Sequence, residues 1–468
     1  MSYGDINKGS VTQQKDSLGF LAGEYDHEIM LGKIVDDGID GFEFHQALPL
    51  TKLFSYIIYS QSIFKPHVTV DIGISQAKRI TEQFGTKGLQ GEEFVKLNFG
   101  TPKTDKMDKV SDLFYVAGYT PFRRDQHDMK EGTNISCVSK EKLVNDLVSV
   151  NQAYEKTMTE SASSIYNHYI LQNIQYKKLM ALNKDGNNFW ETRGLFTEDP
   201  SVGVQKFIIP GLTPFGAMNF LATRAYGGFE YPGSLWCFYQ DNHGYNFTNL
   251  EQAIERDQVN PFITEYTYDP ELQDLPHYHK DYYFNIITLS GMSISNTIEN
   301  TGSGEYANIV RSVDPLRKSF YDVSFNMKDR YKDFKRTGKH FQLSDRFFEE
   351  FASDPTESTI IVDSFKGGEM PGFIVGKRKS YQQLMSTYSL EATVFGNTEL
   401  NVGRCIRLKL REAGVTTHKP RGSMYSGLWF ITDLQHILSK DRFVTKLTLV
   451  KDSPEFLHVD KPEAASLR

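Results

Sequence analysis

Apolar and polar positions alternate along much of the first third of the chain. Val68, Val70, Ile72 and Ile74 are separated by His67, Thr69, Asp71 and Gly73, the period of a half-buried strand. Val95, Leu97 and Phe99 repeat it, and Leu113–Tyr119 is an apolar run of strand length. Gly85, Gly88, Gly91 and Gly100 punctuate these segments as turns. The pattern predicts a small antiparallel β domain. Beyond it the period changes. Ser139 suits a helix N-cap, with Glu141 in the first turn. Ala162, Ile165, Tyr166, Tyr169, Ile170 and Ile174 follow helical spacing and predict a helix over about Thr159–Leu182.

The stretch Phe207–Tyr226 predicts a strand ending at Pro210, then a helix capped by Thr213 with Pro214 at its first position. Phe215, Met218, Leu221, Ala222 and Ala225 share one face, and Gly227-Gly228 is the expected stop. A hairpin follows. Leu235, Cys237 and Tyr239 lead to the turn Asp241–Gly244, and Tyr245 and Phe247 lead back. Alternation returns near the end, in Leu390–Val394, Ile406–Leu410, Leu428–Asp433 and Phe443–Leu449, at the spacing of a small barrel.

The expected fold class is β-rich α+β, with two small antiparallel β-barrel domains flanking an α/β middle region. The boundaries expected are a flexible arm over 1–22, a first barrel over 23–138, the middle region over 139–345, a second barrel with its lead-in over 346–456, and a tail over 457–468. Three folded units agree with 468 residues at roughly 150 per domain. The aromatic share, 25 Tyr, 33 Phe and 3 Trp, favours strands and interfaces over a helical bundle.

A net charge of −7 argues against a generally basic nucleic-acid binder. Cys137, Cys237 and Cys405 lie far apart and imply buried thiols rather than a disulfide framework. The N-terminus lacks a basic region followed by an apolar one, so no signal peptide is expected, and no apolar run is long enough to span a bilayer.

Tests for chemistry give little. His277 and His279 would share a strand face, but two ligands do not make a metal site, and surface histidines are the better reading. Asn183, Asp185 and Asn187 resemble a calcium loop, but Gly186 is misplaced, so a polar turn is expected. Thr301–Gly304 reads as a flexible loop rather than a phosphate cradle. No G-x-S-x-G, Walker, H-E-x-x-H or G-x-G-x-x-G motif occurs. Residues 251–274 carry the acids Glu251, Glu255, Asp257, Glu265, Asp269, Glu271 and Asp274. Residues 328–340 carry the bases Lys328, Arg330, Lys332, Lys335, Arg336 and Lys339. That basic run, with Tyr331 and Phe334 inside it, could suit single-stranded nucleic acid, but a solvated face or a loop pairing with acids is the preferred reading. No catalytic, cofactor-binding or metal-binding residue is assigned, and no cofactor is expected.

Three blocks together resemble the central hub proteins of contractile-tailed bacteriophage baseplates. The first is Ser62–Ile72 with Gly88–Phe99 and Cys137–Tyr154. The second is Ile209–Tyr226 with Leu235–Ile254. The third is Arg378–Leu384 with Val394–Leu410, Ser426–Leu438 and Arg442–Ser453, where Gly396 and Gly403 serve turns. The resemblance implies a homotrimer whose two barrels per chain make a pseudo-sixfold ring. Such a ring joins the hexameric tail tube to the trimeric cell-puncturing spike. DNA and the tape-measure protein pass through its lumen, and baseplate wedge proteins surround it. It implies a structural role rather than an enzyme, a place in the virion tail after synthesis in the host cytoplasm, and no membrane insertion. Two other readings stand beside it: a tail-associated peptidoglycan or polysaccharide hydrolase, and the hub of a related contractile injection or secretion system.

Overall fold

The computed structural model describes residues 18, 20–36, 42–76, 89–91, 93–102, 109–121, 131–173, 193–198, 201–294, 296–314, 318–341, 343–352, 360–363, 369–410 and 425–455. The predicted polar turn at 183–187 lies outside them.

Seven strands come first among the described residues: β1 Asp26–Asp36, β2 Phe42–Pro49, β3 Phe54–Ser62, β4 Thr69–Gln76, β5 Glu93–Gly100, β6 Val110–Pro121 and β7 Glu131–Ser139. They pair antiparallel in the order β3-β4-β7-β6-β5-β1-β2. The alternation seen in the sequence sets their faces. Val68, Val70, Ile72 and Ile74 are buried, and so are Val95, Leu97 and Phe99. They pack with Ile57, Tyr59, Phe114 and Ile135 into one core.

The middle region has its own core. It is built from α1 Lys140–Leu147, β8 Val150–Lys156, α2 Met158–Ile165, β9 Leu195–Thr197, β10 Gln205–Leu212, α3 Pro214–Ala222, β11 Trp236–Gln240, β12 Tyr245–Asn249 and α4 Leu250–Gln258. The predicted cap of α3 is present, with Thr213 Oγ1 accepting from Gly216 N at 3.2 Å. The hairpin β11–β12 forms in the predicted register, Phe238 opposite Phe247.

Several expectations are corrected. Ser139 does stand at the N-cap of α1 with Glu141 in the first turn, while a capping box that was not foreseen, Thr157 with Glu160, starts α2. Ser139 precedes α1 without a side-chain cap bond, because its hydroxyl faces Tyr245 instead, at 3.2 Å. Of the helix predicted over Thr159–Leu182, the described part is α-helical to Ile165 and π-helical over Tyr166–Leu171, and residues 174–182 lie outside the described residues. Helix α3 ends at Ala222, before Gly227, and β10 runs past Pro210 to Leu212 with an irregular register there. A two-stranded ribbon tolerates that proline because β10 pairs on one side only.

The remaining strands are β13 Glu265–Tyr268, β14 Thr288–Ile294, β15 Ala307–Asp314, β16 Ser319–Asn326, β17 Ile360–Asp363, β18 Tyr388–Phe395, β19 Cys405–Leu410, β20 Gly427–Ser439 and β21 Phe443–Lys451, with α5 Glu369–Met385 before β18. Strands β14-β18-β21-β20 form an antiparallel path, and β19 pairs β20 on one side and β13 on the other. Strands β16, β15 and β17 make a separate three-stranded sheet. Thr301–Gly304, expected to be a loop, instead ends the short helix Thr297–Ser303, with Gly304 left-handed at φ +82° as its cap.

The two β lobes belong to one thirteen-stranded sheet, because β20 pairs with β3. The register of β20 against β21 breaks between Ile431 and Asp433. Up to Phe430, β20 pairs β19, and from Asp433 it pairs β3. A bulge bends and twists a strand, so it lets one strand leave the second lobe and enter the first. Leu438 and Phe443, at the far end of this hairpin, belong to the first lobe's core. Gly396 fits beside that core because a Cβ there would stand 2.0 Å from the Phe443 ring.

Candidate assembly scaffold at the lobe junction

The most constructed polar site lies where the three cores meet. Helix α1 leaves β7 directly, so its first two residues, Lys140 and Glu141, point inward and are buried. Asp112, on β6, receives both nearby cations. Its Oδ1 lies 2.9 Å from Lys140 Nζ, and its Oδ2 lies 2.7 Å from Arg193 Nη2. Arg193, just before β9, also donates to the carbonyl of Asp241 at 3.1 Å. Tyr166 donates to the Arg193 carbonyl at 2.7 Å, and Tyr245 donates to Glu141 Oε2 at 3.4 Å.

Two cations and two carboxylates thus share one water-poor volume. Burial pushes the Asp112 carboxyl up, but Arg193 and Lys140 outweigh it and hold the group below its usual range. Burial dominates at Glu141 and raises its carboxyl. Arg193 is raised against burial by Asp112 and the other anions around it.

A neutral network extends from here into the second lobe. Tyr59 and Gln61 of β3 both donate to Asn242 Oδ1 at the β11–β12 turn, at 2.9 and 2.6 Å. Asn242 N donates to Asn401 Oδ1 at 3.1 Å, and Asn242 Nδ2 donates to the Thr398 carbonyl at 3.0 Å. Burial pushes the Tyr59 phenol up to about 12. His436, on β20, stacks on Tyr59 with its Nδ1 2.9 Å from Thr445 Oγ1, and burial pushes its imidazole down to about 3. The geometry of these groups locks the hairpin turn, both β lobes and α1 into one body.

The two charge runs seen in the sequence touch at Lys335. Lys335 Nζ pairs with Glu255, and Lys335 N donates to Glu251 Oε1 at 3.2 Å. Lys409 holds Glu265, and Lys328 holds Glu349. Glu251 is buried and accepts three backbone N–H groups. Burial pushes its carboxyl up to about 8, with those donors holding it back. Asp257 accepts from Cys405 N at 2.7 Å. Within the basic run, Lys328, Arg330 and Lys335 pair with Glu349, Asp333 and Glu255.

His277 and His279 do not share a strand face, because Pro276 begins a turn there. His277 stacks on Tyr282, and His279 Nδ1 accepts from Asp281 N at 3.1 Å. The three cysteines are free thiols, two of them buried. Among the described residues no group of three or more metal-ligating side chains converges, and no helix is long and apolar enough to cross a membrane.

Sequence reasoning missed the junction. Its one local signal is a charge inside an apolar strand, Asp112 in the run Val110–Tyr119, and a charged pair directly after a strand, Lys140-Glu141. Arg378 was also missed as a functional contact. It donates to the carbonyls of Ser234 and Ala225, at 2.8 and 2.6 Å, and to that of Thr223, so a cation sits at the C-terminal end of α3.

No protein-family model and no curated protein sequence matches the chain. Solved structures do. The 43 kDa tail protein of prophage MuSo2 from Shewanella oneidensis is 10% identical, covering 91% of this chain and 98% of that one, with a TM-score of 0.51. The tail protein from Neisseria meningitidis MC58 is 12% identical over 91% and 97% of the two chains, with a TM-score of 0.49. A Francisella PdpA–VgrG complex is 9% identical over 98% of this chain and 57% of the other, with a TM-score of 0.44. The chain therefore has the fold of a phage tail protein, along nearly the full length of both chains. The fold it shares with the MuSo2 tail protein agrees with the phage-tail resemblance drawn from its sequence.

Proposed function

We propose that this chain is a structural protein of a contractile tail, the central hub of its baseplate. Three copies form a ring in which two β lobes per chain give six similar positions. The ring joins the sixfold tail tube on one face to the threefold spike on the other, and DNA passes through its lumen. Tape-measure and wedge proteins are its further neighbours. It acts in the virion tail after synthesis in the host cytoplasm, and it has no catalytic role.

The observation that carries this reading is the single sheet running through both β lobes. A strand shared by two lobes, backed by a buried ion network, suits an adaptor that must keep two barrels at a fixed spacing under load. The fold shared with the MuSo2 tail protein supports it. A mildly acidic chain also suits a conduit that does not hold the DNA backbone.

Light scattering on the purified protein tests the assembly. Three times the chain mass of 53.5 kDa is expected. A strict monomer that also fails to bind a co-expressed tube or spike protein overturns the reading.

A further inference from the structure

The loop Gly227–Ser234, after α3, presents an exposed phenylalanine on a backbone locked from beneath. Phe229 is 92% exposed. A bridge between Gly227 and Tyr231 closes the loop below it. Gly228 has φ +80° and Ser234 has φ +48°, left-handed values that are uncommon for a residue with a Cβ. Ser234 is pinned on every side. Its N–H and that of Gly233 donate to Glu251 Oε2, at 3.2 and 2.7 Å. Its hydroxyl accepts from Gly227 N at 3.1 Å, and its carbonyl accepts from Arg378. Tyr231 donates to Glu255 at 3.0 Å. Strain of this kind persists where surroundings over-determine it, and it gathers at clamps and binding sites. Val202, which donates to the Tyr226 carbonyl, and Val204 extend the apolar surface beside the loop. Glu230, next to Phe229, is exposed and in no ion pair among the described residues.

A receptacle of fitting chemistry lies elsewhere on the same chain. A cleft of about 550 Å³ is lined by the apolar Tyr282, Ile286, Ile287 and Phe395 and the polar Gln273, His277 and Asn285, with the exposed Asp441 and Arg442 at its rim. Its size is within the range of sites that take a small ligand or an anchoring side chain. Both rim charges are exposed, and neither is in an ion pair among the described residues.

We propose that Phe229 of one copy seats in this cleft on the next copy, with Glu230 against Arg442. The contact uses two different patches, so repetition runs head to tail, the arrangement a closed ring requires. The inference rests on the ring reading above and assigns residues to its contact. A loop already held in shape gives up little freedom when it docks.

The test replaces Phe229 by a photoreactive phenylalanine analogue in the full chain, followed by irradiation and peptide mapping. Crosslinks between copies to residues 282–287, 395 or 441–442 are expected. Crosslinks confined to other segments, or none in a sample shown to be oligomeric, overturn the contact. Alongside it, F229A and E230R should each weaken self-association at least tenfold, and R442E should restore it in the E230R background. An oligomer indifferent to F229A and E230R overturns this contact and leaves the ring reading standing. A wild-type chain that stays monomeric at every concentration overturns this contact, and one that also binds no co-expressed tube or spike protein overturns both.

Discussion

At the scale of single residues, the junction is governed by charges that cannot reach water. Asp112 is 1% exposed and is shared by Lys140 and Arg193. Its removal takes from two buried cations the carboxylate they share. D112A is expected to cost about 3–5 kcal/mol in chemical denaturation, the penalty of breaking a buried pair. A loss near zero would mean that water reaches the site. His436 makes a second prediction. Its imidazole stays neutral in the folded chain down to about pH 3, while the unfolded chain takes up a proton near 6.5. The unfolded state therefore binds more protons in that window. The stability contributed by His436 is complete above pH 6.5 and falls as pH drops toward 3, by up to about 1.4 kcal/mol per pH unit. H436F removes this component, so its stability should depend less steeply on pH between 6.5 and 4 than that of the wild type. Equal slopes would contradict the buried neutral imidazole.

At the scale of elements, the alternation Val68–Ile74 and the run Phe443–Leu449 reveal strands directly, since one buried face imposes a period of two. Thr213-Pro214 reveals a helix start, because cap and proline both act locally. The partnership of β20 with β3 could not be read in this way. It joins segments at opposite ends of the chain, and nothing in Asp433–Ser439 names its partner. The junction was hidden for the same reason: Asp112, Lys140 and Arg193 meet only after the lobes close. The histidine pair misled because Pro276 breaks the strand that would have aligned it. Close packing at the β20–β21 end gives a prediction at this scale. G396A drives a methyl into the Phe443 ring, where overpacking costs about 1–3 kcal/mol. Calorimetry should show a lowered Tm for G396A. An unchanged Tm would mean that the hairpin yields freely, against the rigid connection between lobes argued here.

At the scale of the whole molecule, the two β lobes and the middle region act as one rigid unit. The sheet crosses between lobes through β20, the ion network ties in α1 and β9, and Arg378 ties α5 to α3. A protein built in this way fixes the spacing between its two β lobes, and the proposed ring of six positions requires such a fixed spacing. The central claim is thus about assembly. Electron microscopy of the purified protein tests it most directly. The account predicts class averages of a threefold ring with six peripheral lobes around an open centre. Single copies at every concentration, or a closed twofold dimer, would contradict it.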